Sequence, residues 1–426
     1  MAATTEHDMR ELGLWWLADA PEKQVPGILT YSPTEGAQLE LIGMLRGPFD
    51  AILSTGLQRF TADEFERDGD YGRICGAAGG KSFTLDGCFR TDYSNTFPSA
   101  TSSSTERIHV HRFIRGAEFF PNEPVEATEI RVRLLHLPYW IAEGGISERF
   151  YLPGEAPKGE PAIVLEADPL PNRVIELANG MTLSICEVVE SVGDRVTDRG
   201  LTRDFVVRLE GERLEFDEYL HVIGTFQDLV SIGTDRTSTF EEFRFHHPDV
   251  VHKRGDKPPV SLPIDFYAQW LNWSTRQTKP PRPHDLLFNL SELGGEEAIR
   301  RWFAFALDHR GTISRVMATR YRSGAYVSDT LLNRAAALEA LDRDTHGRDG
   351  IDFRKGMSRL AALAGAPFLD AIGDAERWAT SFKDARIAAA HHSNERSADS
   401  VHSDYYLAEA AYYRLFAIER GGALPG

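Results

Sequence analysis

The chain is 426 residues long, 42% hydrophobic and 26% charged, with no low-complexity tract. This composition excludes wholesale disorder and leaves room for two or three domains, each with its own core. The formal net charge of -17 repels a phosphate backbone at long range and excludes generic coating of DNA.

The first ten residues are polar and acidic, without the basic start and apolar stretch of a secretion signal. No apolar run is long enough to predict a transmembrane helix. Cys75, Cys88 and Cys186 read as free thiols of a reducing compartment, so the expected location is the cytoplasm. No CxxC pair occurs, and neither a metal nor a cofactor is expected.

Residues 1–250 read as a β-rich domain. Segments 27–31, 37–43, 108–113, 130–135, 182–188 and 205–209 alternate apolar with polar residues between Gly, Pro, Asn and Asp breaks. A period of two buries one face of a strand and wets the other, so an antiparallel, sandwich-like domain is expected. Segment 215–232 leaves helix and strand both open. Trp15 and Trp16 read as core anchors, and His109 and His111 as surface histidines. His246 and His247 read as a loop. Residues 76–81 (GAAGGK) lack the spacing of a phosphate-binding loop, which excludes a nucleotide triphosphatase.

Residues 251–293 hold proline clusters at 252–263 and 279–283 and are expected to connect two modules. From 294 to 426 helical spacing takes over, with amphipathic runs at 296–308, 326–341, 353–363, 375–392 and 405–419. These predict an α-helical bundle, making the whole chain multidomain α and β. Residues 296–426 carry 18 basic and 18 acidic residues, so the -17 resides entirely in the first 295. An acidic body joined to a neutral bundle implies two modules with different jobs.

Near the end of the fourth helical run, Arg386 is followed after four small or apolar residues by His391, then by His392. Cations there also complement the helix macrodipole with no chemistry at all. Within a helical bundle, however, this arrangement resembles the Apea-like HEPN family, whose signature is an Arg, four to six intervening residues and then a His. The ALEAL stretch containing Glu339 resembles that family's second characteristic region. Near the N-terminus, 13–17 (GLWWL), 26–31 (PGILTY) and 40–43 (ELIG) resemble the ApeA N-terminal domain of prokaryotic antiphage proteins. The two resemblances cover most of the chain in the matching order.

The resemblance implies a metal-independent endoribonuclease toxin of an abortive-infection system, restrained by a sensor half that answers a phage-derived trigger. It also implies a homodimer or higher homo-oligomer, since two protomers of the family share one cleft. RNA carries its own nucleophile, the ribose 2′-OH. Histidine suits the proton transfer because its pKa of about 6.5 lies near neutrality. Arginine suits the phosphate through its permanently charged planar fork. Arg386 and His391 are therefore the expected catalytic pair. His392 is the rival proton carrier, since positions five and six residues on lie about 140° and 120° away on opposite sides of a helix. Asp384 and Glu339 are expected supports. Arg315, Arg320 and Arg322 are expected to form an RNA-facing wall. Ile387 stands where the family usually has a polar residue. It favours the alternative, a catalytically silent dimerisation or binding bundle beside a β-sandwich recognition domain.

Overall fold

The computed structural model describes residues 5, 7–46, 69–95, 104–121, 123–152, 155, 157, 161–194, 196–255, 257–272, 279–321, 326–347 and 352–390. Six antiparallel strands come first: β1 (Met9–Leu17), β2 (Val25–Ser32), β3 (Gly36–Ile42), β4 (Asp70–Ala78), β5 (Lys81–Asn95) and β6 (Ser104–Arg115). They pair in the order β6-β3-β2-β1-β4-β5, and β5 pairs back onto β6. The result is a six-stranded barrel rather than the expected sandwich. Alternation determines which face is buried, but not whether a sheet closes on itself. Closure removes exposed edges.

The barrel core is built from the buried halves of the alternating patterns, including Leu29, Tyr31, Leu39, Leu41, Phe83, Leu85, Ile108 and Val110. Trp15 is fully buried and meets Phe83 edge-on, ring centroids 5.7 Å apart. It lies opposite Gly76 in the β1–β4 register. A Cβ on Gly76 would stand 2.1 Å from the Trp15 ring, so only glycine admits the indole. Gly79 and Gly80 both have positive φ and link Ala78 to its cross-strand partner Lys81. The 76–81 segment is therefore a tight hairpin turn, a setting that favours two glycines.

The chain continues through β7 (Glu126–Leu134), helix α1 (Leu137–Ile141) and a separate hairpin, β8 (Ile146–Phe150) and β9 (Ile163–Ala167). Next come β10 (Arg173–Glu176), β11 (Thr182–Val192), β12 (Gly200–Glu215), helix α2 (Phe216–Gly233), β13 (Phe240–Arg254) and β14 (Lys257–Ala268). Segment 215–232, left open by the sequence, is thus mainly helix. A second antiparallel sheet runs β10-β11-β12-β7-β13-β14, and β14 pairs with β6 through Asp265–Ala268. One face of this sheet is apolar. On β7, Ile130, Val132 and Leu134 are buried. The alternate residues carry ion pairs on the other face, such as Arg133 with Asp204 at 3.1 Å and with Glu242 at 3.2 Å.

Segment 251–293, expected as a connector, contributes the end of β13 and all of β14 to this sheet. The β13–β14 register slips between His246 and Val251, where Pro248 interrupts the ladder. Proline cannot donate there. Pro258, Pro259 and Pro263 precede the only stretch of β14 that also pairs with β6.

Helices follow: α3 (Leu290–Leu293), α4 (Gly295–Asp308), α5 (Arg310–Tyr321), α6 (Val327–His346), α7 (Phe353–Leu363), α8 (Ala366–Ile372) and α9 (Ala375–Ala390). The expected runs at 296–308, 326–341 and 353–363 coincide with α4, α6 and α7, and the run at 375–392 with α9 as far as residue 390. The run at 405–419 lies outside the described residues. One apolar cluster joins the second sheet, α2 and these helices, from Ile130 and Phe226 through Trp302 and Leu338 to Phe382.

Gly76→Ala is expected to cost about 1–3 kcal/mol, the range for overpacking a filled core. Urea unfolding would show it; unchanged stability would mean that the Trp15 slot is loose.

Candidate functional site

Asp374 precedes helix α9, and its carboxylate accepts the Arg377 N–H of the first turn at 2.8 Å. The helix's stripe of Trp378, Ala379, Phe382, Ala385 and Ala389 is buried. Phe382 packs on Phe353 of α7, with centroids 5.5 Å apart. Arg386 follows Ala385 and so emerges at the border of this stripe. Its guanidinium lies over the Phe353 ring, 4.7 Å from the centroid. Nη2 reaches Glu339 Oε2 of α6 at 2.9 Å. Glu339 also lies 3.5 Å from Arg343, one turn further along α6.

The Arg386 and Glu339 side chains remain 35% and 29% exposed. At that exposure an ion pair and a cation–π contact contribute only about 1 kcal/mol together. Their effect is to fix direction: a ring on one side and a carboxylate at one edge hold the guanidinium plane. Asp384, the other expected support, is exposed on α9. The structure gives the carboxylate partnership of Arg386 to Glu339.

A tighter lock holds α6 to α7. Asp342 receives Arg359 through Nε at 3.0 Å and Nη2 at 2.5 Å, and His346 lies 3.3 Å away. A Cβ on Gly356 would come within 2.5 Å of the Asp342 carboxylate. Glycine at 356 therefore permits the close approach that brings Phe353 beneath Arg386.

Beside Glu339, a groove of about 480 Å³ runs between α5 and α6, lined by Thr312, Arg315, Ala336, Glu339, Ala340 and Arg343 among others. Arg315 is exposed on its wall. Arg320 faces elsewhere and forms an ion pair with Asp235 at 2.7 Å. The two arginines are five positions apart, about 140° around a helix, so one face cannot present both. The expected three-arginine wall thus reduces to Arg315 among the described residues. Arg322, His391 and His392 lie outside those residues.

The seam between α2 and α5 was not anticipated from the sequence. The Tyr321 hydroxyl donates to Asp228 Oδ1 at 2.5 Å and lies 3.4 Å from Ser231 Oγ. The Trp302 indole N–H of α4 donates to the Thr225 carbonyl at 2.9 Å. Burial pushes the Asp228 carboxyl up to about 7, against the lowering effect of the Tyr321 hydrogen bond. Burial also raises the Tyr321 phenol well above its usual value. The sequence signal was faint: Asp228 and Ser231 are two of several polar residues in an amphipathic helical run.

The folded Asp228 carboxyl keeps its proton to about pH 7, whereas an unfolded aspartate loses it near pH ~4. Its contribution to stability is complete in acid and is withdrawn as pH rises between those two values. Asp228→Asn, which cannot titrate, should therefore weaken the protein more at pH 4.5 than at pH 8 relative to wild type. Equal penalties in denaturant titrations at both pH values would refute the assignment.

A family model described as ApeA N-terminal domain 1 matches residues 10–302, more than half of the chain. The match takes in the barrel, the second sheet and α1 to α3, and ends inside α4; α5 to α9 lie beyond it. No curated protein and no solved structure gives a match. Among the described residues no helix is long and apolar enough to cross a membrane, and no cluster of side chains suits a metal ion.

Proposed function

The chain belongs to the ApeA N-terminal domain 1 family, and we propose that it is an antiphage defence protein whose C-terminal helices cleave RNA. Membership in the family supports the defence role. The observation that carries the chemistry is the aimed guanidinium of Arg386, braced by Phe353 and Glu339 a few residues before His391.

In this reading the C-terminal helices form a HEPN bundle. Arg386 binds the scissile phosphate and neutralises charge developing on phosphorus. His391, with His392 as its rival, takes the 2′-OH proton or supplies one to the departing 5′-oxygen. The reaction needs no metal, because the ribose supplies the nucleophile. Glu339 and Phe353 are positioning residues. The β-rich half senses a phage-derived trigger and restrains a toxic bundle, and the protein works in the cytoplasm as a homodimer or higher homo-oligomer.

Arg386→Ala and His391→Ala are each expected to lower RNA cleavage by at least ~10²-fold, the scale for losing a charge-stabilising or proton-transfer group. The Arg386 change should cost only about 1 kcal/mol in stability, because its ion pair and its ring contact are both partly open to water. Cleavage should persist in EDTA and leave 2′,3′-cyclic phosphate ends, read by end-specific ligation. Full cleavage by both variants would remove the assignment.

One observation favours a second reading. Ile387 is 46% exposed directly after Arg386, where a polar residue would help to hold substrate. In that reading the bundle binds nucleic acid or a ligand without cutting it. Purified wild-type protein that retains RNA but produces no new ends, with or without infected-cell extract, would decide for it.

A further inference from the structure

Strands β8 and β9 form a sheet of two, and neither outer edge is paired with another strand among the described residues. Their register sets Ile146 opposite Ala167, Glu148 opposite Leu165 and Phe150 opposite Ile163. By the period of two, these six share one face. Ile146, Phe150, Ile163 and Leu165 on that face are 39%, 56%, 54% and 37% exposed. Ser147, Arg149, Val164 and Glu166 take the other face, where Arg149 and Glu166 pair at 3.1 Å. An isolated two-stranded hairpin is marginal in water, and one with bare apolar residues more so.

The hairpin is nevertheless held firmly at its base. Arg203 of β12 donates to the carbonyl of Gly145 at 3.1 Å and to that of Asp168, the two residues that flank the arms. The same guanidinium pairs with Glu187 of β11 at 2.6 Å, both side chains less than one tenth exposed. Glu187 also accepts the Leu170 N–H at 2.8 Å. A buried ion pair thus clamps both ends of an exposed apolar hairpin, which fixes its direction before any partner arrives.

The two edges differ. Edge strands are commonly blunted by lysine, proline or charge. The β8 edge has Glu148 at its centre and Arg149 beside it. The β9 edge, Ile163 to Ala167, has no lysine, proline or glycine and a single charge. Antiparallel self-pairing about a two-fold axis engages all five residues of the strand in one register only. Centred on Leu165, it sets leucine against leucine, Ile163 against Ala167 of the second copy, and Val164 against Glu166 of the second copy. All five residues pair without a like-charge contact. Centred on Glu166, it would face carboxylate with carboxylate. The same operation on β8 would face Glu148 with Glu148.

We propose that β9 is a homotypic docking edge: two copies of this chain join their hairpins through antiparallel β9 pairing centred on Leu165, making one four-stranded sheet. In that sheet Ile163 and Leu165 of both copies become inner-strand residues flanked on each side. An edge of five residues covers less than the ~1,200 Å² of a standard interface, so the association is concentration-dependent. It stands apart from the RNA-cleavage reading and needs no part of it.

Sedimentation velocity on the full chain over a range of concentrations should show reversible dimerisation. Leu165→Lys, which faces ammonium with ammonium, should raise the midpoint concentration at least ~10-fold without altering the circular dichroism spectrum. In a Cys186→Ser background, Leu165→Cys should yield a reducible covalent dimer on mild oxidation. Directly opposed antiparallel residues lie ~4.5–5.5 Å apart at Cα, within disulfide reach. Glu148→Cys, on the other edge, should give none. Failure of Leu165→Cys to cross-link, or equal cross-linking by Glu148→Cys, overturns the proposal. So does a wild-type chain that stays monomeric at every concentration.

Discussion

Strand β6 hydrogen-bonds to β5 along one side, while its other side is divided between two partners. Thr105 to Val110 serve β3, and Arg112 to Arg115 serve β14. The β6–β14 contact is also the wall between the two hydrophobic cores. Phe113 and its cross-strand partner Tyr267 face the barrel, stacked with centroids 4.6 Å apart. Ile114 and its partner Phe266, one residue along each strand, face the other core, where Phe266 meets Phe216 at 4.8 Å. A period-two backbone buried on both faces serves two interiors at once. Barrel and sheet therefore share a rigid strand instead of a linker.

From that wall the order passes outward to the helices. Helix α2 packs on β7 and β12 and receives α4 and α5 through Trp302 and Tyr321, while Arg320 of α5 pairs with Asp235 just past the end of α2. The apolar cluster is continuous from the second sheet to α9. The acidic half and the neutral bundle differ in charge, as their composition shows, but they are not packed as separate bodies. Any influence of the barrel-and-sheet half on Arg386 has a physical route through α2, α5 and α6. Two of its links, Asp228 with Tyr321 and Asp235 with Arg320, are side-chain contacts that can be altered one at a time.

The candidate site was only partly legible beforehand. Arg386 stood out because of its spacing to His391, and Glu339 because of the stretch around it. That the two touch depends on α6 and α9 lying side by side, which helical periodicity alone does not specify. Phe353 carried no sign of a role: an aromatic residue opening an amphipathic helix reads as core, and it is core. Its second function appears only because Gly356 lets α7 sit close against Asp342. Arg320 was grouped with Arg315 by composition and separated from it by helical geometry.

Local alternation and helical spacing set the strands of the first half, the helices of the second, the buried side of each element and the tight turn at Gly79 and Gly80. They do so because these features depend on residues within a few positions of one another. Tertiary structure alone decided that six strands close into a barrel, that β14 joins it to a second sheet, and which carboxylate meets Arg386. Each of those outcomes rests on contacts between residues far apart in the chain, such as Phe266 with Ile114 or Glu339 with Arg386. Pairings of that kind leave no periodic trace in the sequence.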